Sequence, residues 1–291
     1  MASIAPDPAK VEKIRQRLRQ EWTDADTIAA WRKWHRHLAS YTRGATDAIL
    51  EAAQVTPGMN VLDLASGVGD PALSLAKAVA PSGHVTASDL GPGMFSLAQE
   101  LAAKEGITNL EFRQANAEAL PFPDRSYDAV TCRFALMLFP DTGKALRECL
   151  RVLKPGGRGA FVVFGTREQP FFTCTVGILL KYVQAPPLDP DAPHLFMFGE
   201  RGRMQREMEA AGFVNVREEV RSVPAHWEGT AEEYWQQFSE VAAPYRALLA
   251  QLTPQSRPAM MAESIAALKK YSDGNGFTLP IEIVIGSGNR Q

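Results

Sequence analysis

The stretch VLDLASGVGDPAL, from Val61 to Leu73, constrains this 291-residue chain more than any other. Val61 to Ala65 is an apolar run broken only by Asp63, the pattern of a strand buried inside a parallel sheet. Ser66-Gly67-Val68-Gly69 follows as a turn of small residues. Asp70 and Pro71 suit the N-cap and first position of a helix, which Ala72, Leu73, Leu75 and Ala76 open. Strand, glycine turn and helix in succession form the first unit of a nucleotide-binding α/β sheet. Glycine belongs in the turn because a ligand must approach the backbone where a Cβ would collide.

Gly67, Gly69 and Ala72 also satisfy the G-x-G-x-x-G/A spacing of dinucleotide-binding turns, so an NAD-dependent oxidoreductase is one reading. The charges oppose it. Pyrophosphate on a helix N-terminus wants bare N–H groups and no anion nearby. Asp63 at the strand end and Asp70 at the helix mouth would repel it and would suit a ligand with a cationic amino group.

Length and composition leave room for a large core and give no other strong direction. Apolar residues make up 45% and charged residues 22%, ordinary for a globular chain, and a net charge of −2 gives no general attraction to nucleic acid or an anionic membrane. Cys132, Cys149 and Cys174 lack C-x-x-C spacing, so neither a disulfide framework nor a metal site is expected. The first ten residues have no signal-peptide core, and the longest apolar stretch, near Phe171 to Leu180, is too short to span a bilayer. A cytoplasmic protein is the expectation.

Upstream of the glycine turn, VEKIRQRLRQ reads as a charged helix with Val11, Ile14 and Leu18 on one side. Trp31, Trp34, His35, Leu38 and Tyr41 or Thr42 then fall on one helical stripe, which is either core packing or the inner face of a lid. His35 reads there as an interface residue rather than a base. Gly44 is expected to break the helix. Arg43 could reach the carboxylate of a bound amino acid, or lie on the surface. Downstream, His84 to Ser88 is the second strand and Asp89 ends it, about where doubly wound folds bind ribose hydroxyls. Leu90 to Met94 turns into a helix from Phe95 to Lys104. Leu110 to Arg113, Tyr127 to Cys132 and Gly159 to Phe164 are further strands, and Arg133 and Phe134 stand at a carboxyl end, where ligands sit.

The ordered set of motifs resembles class I S-adenosylmethionine-dependent methyltransferases, closely over Thr46 to Gly165. The glycine stretch resembles their motif I, D/E-x-G-x-G-x-G, with Ala65 where the first glycine is expected. QANAEALPF resembles G-D-A-E-x-L-P-F with Asn116 in place of Asp, and Lys154-Pro155-Gly156-Gly157 resembles the family's turn into the fifth strand. Within the superfamily the core is most similar to the small-molecule type related to the ubiquinone and menaquinone C-methyltransferases. The resemblance implies an α/β, Rossmann-like, seven-stranded doubly wound sheet with a last, antiparallel strand, and S-adenosylmethionine as cofactor. It implies a cofactor site of Asp63, Ala65, Ser66, Gly67, Asp89, Leu90, Met94 against adenine, Asn116 and Ala117 at the adenine edge, Arg133 and Phe134, with Arg43 alongside.

The expected organisation is an N-terminal arm or lid (1–45), the cofactor-binding core (46–165), a cap insertion (166–200), a core helix and strand (201–225), a second helical cap (226–277) and the closing strand (278–291). The aromatic and aliphatic content of both insertions suggests that they roof the crevice around a small apolar or aromatic acceptor, or else pack on one another or in a homodimer. His194 is the first candidate for a catalytic base, followed by His37 and Tyr182. A non-catalytic cofactor-binding module is the remaining alternative, and no nucleic-acid partner is expected.

Overall fold

The computed structural model describes residues 8–185, 192–242 and 245–291. Helices α1 (Pro8–Thr23) and α2 (Ala25–Tyr41) form an arm ahead of the sheet, and α3 (Arg43–Ala53) leads into it. The core alternates β1 (Asn60–Leu64), α4 (Ala72–Val79), β2 (His84–Asp89), α5 (Phe95–Lys104), β3 (Leu110–Gln114), β4 (Tyr127–Arg133), α6 (Thr142–Val152) and β5 (Leu153–Phe164). Two one-turn helices, α7 (Pro170–Thr173) and α8 (Val176–Leu179), precede α9 (Arg203–Ala211) and the long strand β6 (Val214–Glu228). Helices α10 (Ala231–Val241), α11 (Arg246–Leu249) and α12 (Ser256–Leu268) come before the closing strand β7 (Gly276–Asn289).

The seven strands make one sheet in the order β3-β2-β1-β4-β5-β7-β6. The first five run parallel, and β7 is antiparallel to β5 and β6. Apolar residues cover both faces, as a parallel sheet requires. Val61, Val85 and Ala87 pack under Leu75 and Val79 of α4, while Leu62, Leu64, Val130 and Phe161 pack with Leu146 of α6 and Met204 and Met208 of α9. Strand order reverses between β1 and β4, so a crevice opens at their carboxyl ends. No helix among the described residues is long and apolar enough to cross a membrane.

Several boundaries differ from the sequence reading for identifiable reasons. The helix breaks at Thr42, not Gly44. The Thr42 hydroxyl and N–H both donate to the Leu38 carbonyl and close α2. Gly44 lies inside α3, where a Cβ would meet Val223 Cβ at 2.8 Å, so it is small for packing rather than for turning. Lys154 to Gly157 is a bulge within β5, its register jumping between Tyr127↔Leu153 and Ala129↔Arg158. The apolar run near Phe171 to Leu180 forms two single turns, because Thr175 leaves helical backbone space between them (φ −120°, ψ −89°). Residues 186–191 of its proline-rich sequel lie outside the described residues. The second insertion starts after Glu228, since β6 continues through Trp227 as a ribbon with β7.

That ribbon carries the arm. Trp227 is buried with Trp34 at 5.8 Å, His37 stacked at 4.7 Å and Tyr234 edge-on at 5.2 Å between ring centroids. Trp227→Ala is expected to lower the free energy of unfolding by about 3–5 kcal/mol, the usual effect of deleting a buried large aromatic. Urea titration measures it, and a loss well under 1 kcal/mol would show that the arm is held elsewhere.

Candidate active site

The glycine turn is shaped by its backbone. Ala65 and Gly67 both adopt left-handed conformations, with φ 51° and 52°. An L-residue at that φ is disfavoured by about 1–2 kcal/mol, which explains why a glycine is expected where Ala65 stands. Nothing lies within 4 Å of a Cβ built on Gly67, so the loop faces open space. Gly69 (φ 110°) serves packing, since a Cβ there would meet Ala98 Cβ of α5 at 2.9 Å. The Asp89 carboxylate fastens the loop, accepting from the Gly67 and Gly91 N–H groups at 2.9 Å each. Burial pushes its pKa up, and those backbone N–H groups oppose the rise.

These residues edge a crevice of about 1130 Å³. Of the twelve expected cofactor residues, eleven line it: Arg43, Ala65, Ser66, Gly67, Asp89, Leu90, Met94, Asn116, Ala117, Arg133 and Phe134. Asp63 does not. It is buried beneath the loop with the Thr131 hydroxyl donating to Oδ1 at 2.6 Å, and desolvation raises its pKa to about 7. Asn116 Oδ1 is partly occupied by its own turn, accepting from the Glu118 N–H at 3.0 Å. Arg43 is exposed at the rim.

Asp70 does not cap α4 as its position suggested. Pro71 occupies the cap without a side-chain bond. The Asp70 carboxylate instead meets the Arg133 guanidinium at 2.7 Å and accepts from the Thr46 hydroxyl at 2.9 Å. Arg133 also donates to the Thr42 hydroxyl, the Thr46 hydroxyl and the Asp70 carbonyl, at 2.6 to 2.8 Å. Asp70 is thus ion-paired with Arg133 rather than a free anion at the loop. Four buried polar atoms around the loop and its roof lack any protein partner: Asp63 Oδ2, Ser66 Oγ, Arg133 Nε and Trp31 Nε1. Buried polar atoms are rarely left unpaired, and of these Ser66, Arg133 and Trp31 belong to residues that line the crevice.

The three expected catalytic side chains lie elsewhere. His194 accepts from the Phe196 N–H at 3.2 Å, and burial together with Arg167 and Arg203 lowers its pKa. His37 stacks on Trp227, and the Tyr182 hydroxyl donates to Glu263 at 3.0 Å, which raises its pKa. None lines the crevice, and neither does any described residue of 166–200 or 229–275. The described residues of the insertions therefore do not form the roof. The arm does, through Arg15, Leu18, Trp22, Trp31, His35 and Leu38, none of which composition or motif marked as catalytic. The visible signal was the stripe of α2, which the structure divides. Trp31, His35, Leu38 and Thr42 face the crevice, while Trp34 and Tyr41 enter the core beside Trp227 and Tyr234.

A doubly wound sheet with its antiparallel final pair, and a glycine loop at the switch point, defines a Rossmann-like nucleotide-binding α/β protein. Residues 28–184, over half of the chain, match the ubiE/COQ5 methyltransferase family, and the chain belongs to it. That family is one of S-adenosylmethionine-dependent methyltransferases. A ubiquinone/menaquinone biosynthesis C-methyltransferase of Serratia proteamaculans is 35% identical over 178 residues, covering 57% of this chain and 71% of that protein. One from Shewanella sediminis is 44% identical over 110 residues, 38% of this chain and 44% of its own, so the chain spans under half of that relative's length. The YcgJ protein of Bacillus subtilis shares the fold with a TM-score of 0.56 at 21% identity, over 86% of this chain and 99% of its own.

The raised pKa of Asp63 has a consequence for stability. The unfolded carboxyl ionises near 3.8 and the folded one near 7. Between these values the unfolded state sheds a proton that the native state keeps, so the native state loses stability as pH rises through the window. Asp63→Asn is expected to raise the melting temperature at pH 8, by an amount equivalent to a few kcal/mol, and to change it little at pH 4. Melting curves at the two pH values check this, and equal effects at both would refute a protonated Asp63.

Proposed function

We propose that this protein transfers the methyl group of S-adenosylmethionine to a small apolar or aromatic acceptor within the crevice under its arm. The observation that carries the reading is the open face of Gly67 beside the half-buried Asp89 carboxylate, with unpartnered polar atoms nearby. Asp89 would accept from the ribose hydroxyls with the lone pairs that Gly67 and Gly91 leave free, and Met94 and Leu90 would flank the adenine. The Ala117 N–H and the second lone pair of Asn116 Oδ1 suit the adenine edge. Arg133 Nε and Ser66 Oγ suit the carboxylate end.

When bound, the cofactor supplies an electrophilic methyl group on a sulfonium. The chain's own contribution is placement and dryness. Holding two reactants in line in a closed site removes roughly 7–11 kcal/mol of barrier in favourable cases. The apolar side chains Leu38, Phe134, Leu138 and Phe139 line the crevice and exclude water. A pyrophosphate ligand fits less well, because the loop N–H of Gly67 that would meet it already donates to Asp89.

Calorimetric titration with S-adenosylhomocysteine and with NAD separates the two ligands, and transfer of labelled methyl to an acceptor panel tests the reaction. Micromolar binding of the first and none of the second is expected. Asp89→Ala should weaken binding of S-adenosylhomocysteine by about 1–3 kcal/mol through loss of charged hydrogen bonds. Unchanged affinity would remove Asp89 from the site, and tight NAD binding alone would overturn the methyltransferase reading.

A further inference from the structure

The arm is two helices with a joint between them. Asp24 stands between α1 and α2 in extended backbone (φ −63°, ψ 134°). Its carboxylate accepts from the Thr27 N–H at 3.0 Å and meets Arg246 of α11 at 2.9 Å, so the joint is fastened to α2 and to the helical cap. The helices on its two sides are held differently. Along α2, Trp34 Nε1 donates to Glu240 at 2.7 Å and the Tyr41 hydroxyl meets that of Tyr234 at 2.9 Å. At its end the Thr42 hydroxyl accepts from Arg133 at 2.6 Å. In α1 the contacts of Gln16 with Glu12, Arg17 with Glu21 and Thr23 with the Arg19 carbonyl stay inside the helix, so they travel with it.

Arg15 is where α1 grips the core. Its Nε donates to Glu118 Oε2 at 3.1 Å, and Nη2 donates to the same oxygen. Glu118 is buried, and its other oxygen accepts from the Asp141 N–H at 2.8 Å, at the start of α6. A buried carboxylate that loses its cation is strongly disfavoured, so this pair holds α1 down. Glu118 also belongs to the turn expected at the adenine edge, since its N–H donates to Asn116 Oδ1 at 3.0 Å. Arg15, Leu18 and Trp22 of α1 line the crevice, as do Asn116, Ala117 and Glu118. Arg15 lies nine residues before Asp24, about 14 Å along the helix. Close to the joint, Trp22 packs on Trp31 at 5.8 Å between ring centroids. The helix is therefore jointed at Asp24 and caught at Glu118, with crevice-lining side chains between the two points.

We propose that α1 is a flap over the adenosine end of the crevice, hinged at Asp24 and latched by Arg15 on Glu118, and that it lifts for cofactor exchange while α2 stays in place. The inference rests on the methyltransferase reading above. Arg15 and Glu118 are positioning residues, acting on the cofactor through the placement of α1. Adenosine adds contacts to the closed flap that a lifted flap lacks, so occupancy favours closure and closure slows release. Exchange of spent cofactor for fresh is then limited by the latch and leaves the bonds that hold α2 intact.

Labelled S-adenosylhomocysteine bound to the complete protein and chased with excess unlabelled ligand gives the release rate. Arg15→Ala and Glu118→Gln are each expected to speed release about tenfold, with a smaller change in the association rate. Glu118→Gln keeps an acceptor for the Asp141 N–H, and the double variant leaves no unpaired charge, so the test does not depend on the alanine variant folding. Because the two residues act as one pair, the double variant should release no faster than either single one, and Arg15→Lys should recover part of the slow release. Limited trypsin digestion locates the motion. Cleavage after the exposed Arg17 and Arg19 is expected to be faster in the variants, and slowed by S-adenosylhomocysteine in the wild type, while cleavage after Lys33 and Arg36 of α2 stays the same. Unchanged release in the variants, effects that multiply in the double variant, or cleavage that rises equally in both helices would overturn the proposal. Failure of the wild-type protein to bind S-adenosylhomocysteine would instead sink the cofactor reading. Cleavage of α1 without ligand still tests the latch in that case, so the two failures are distinct.

Discussion

The guanidinium of Arg133 is the interaction on which the site's architecture depends. It leaves the carboxyl end of β4, crosses the mouth of the glycine turn and binds the Asp70 carboxylate and carbonyl together with the hydroxyls of Thr42 and Thr46. One side chain thereby joins the fourth strand, the first loop and the junction of α2 with α3. A mostly buried ion pair is stabilising only when its remaining donors and acceptors are satisfied, and breaking one partner leaves an uncompensated charge. Here every guanidinium nitrogen but Nε has a partner. The arm's angle over the crevice is thus tied to the same residue that stands at the carboxylate end of the proposed cofactor site.

This arrangement changes the electrostatic argument made from sequence. Asp63 and Asp70 read as two free anions repelling phosphate. In the folded chain Asp70 is neutralised by Arg133, and Asp63 is buried with its pKa near 7. Asp89 occupies the loop N–H that a phosphate would need. A sequence shows which residues are acidic but not which of them meets an arginine from 63 residues away. Burial decides ionisation, and burial is a property of the assembled sheet.

The same distinction separates what was legible from what was not. The strand, turn and helix around Gly67 form from neighbours in sequence, so their type, order and crevice position could be read locally, as could Asp89 and the Asn116-Ala117 turn. The direction in which α2 presents its stripe depends on Trp227 and Tyr234, some 200 residues away, and no periodicity encodes that choice. His194, His37 and Tyr182 stand out in the sequence by side-chain chemistry alone. None lines the crevice: His194 is bonded to the Phe196 N–H, while His37 and Tyr182 meet Trp227 and Glu263 from distant parts of the chain. Gly44 misled for a related reason, since its smallness answers Val223 across the fold and not the backbone of its own helix.

The insertions gain a different role from the one their composition suggested. Glu240 of α10 accepts from Trp34 Nε1 at 2.7 Å and from Lys33 at 2.9 Å, Arg246 of α11 reaches Asp24 at 2.9 Å, and Tyr234 meets Tyr41 at 2.9 Å. These bonds land on Lys33, Trp34, Tyr41 and the Asp24 cap, and not on the Trp31, His35 and Leu38 that line the crevice. The helical cap thus braces the arm, while other side chains of the arm line the crevice. Changes to the inner face of α2 would alter which acceptor fits. Changes to the brace would alter how often the roof is closed, because exposed ion pairs are individually weak and the arm is held by several of them along with the Trp227 stack. The crevice lining and the contacts with the helical cap are therefore carried by different residues of one helix.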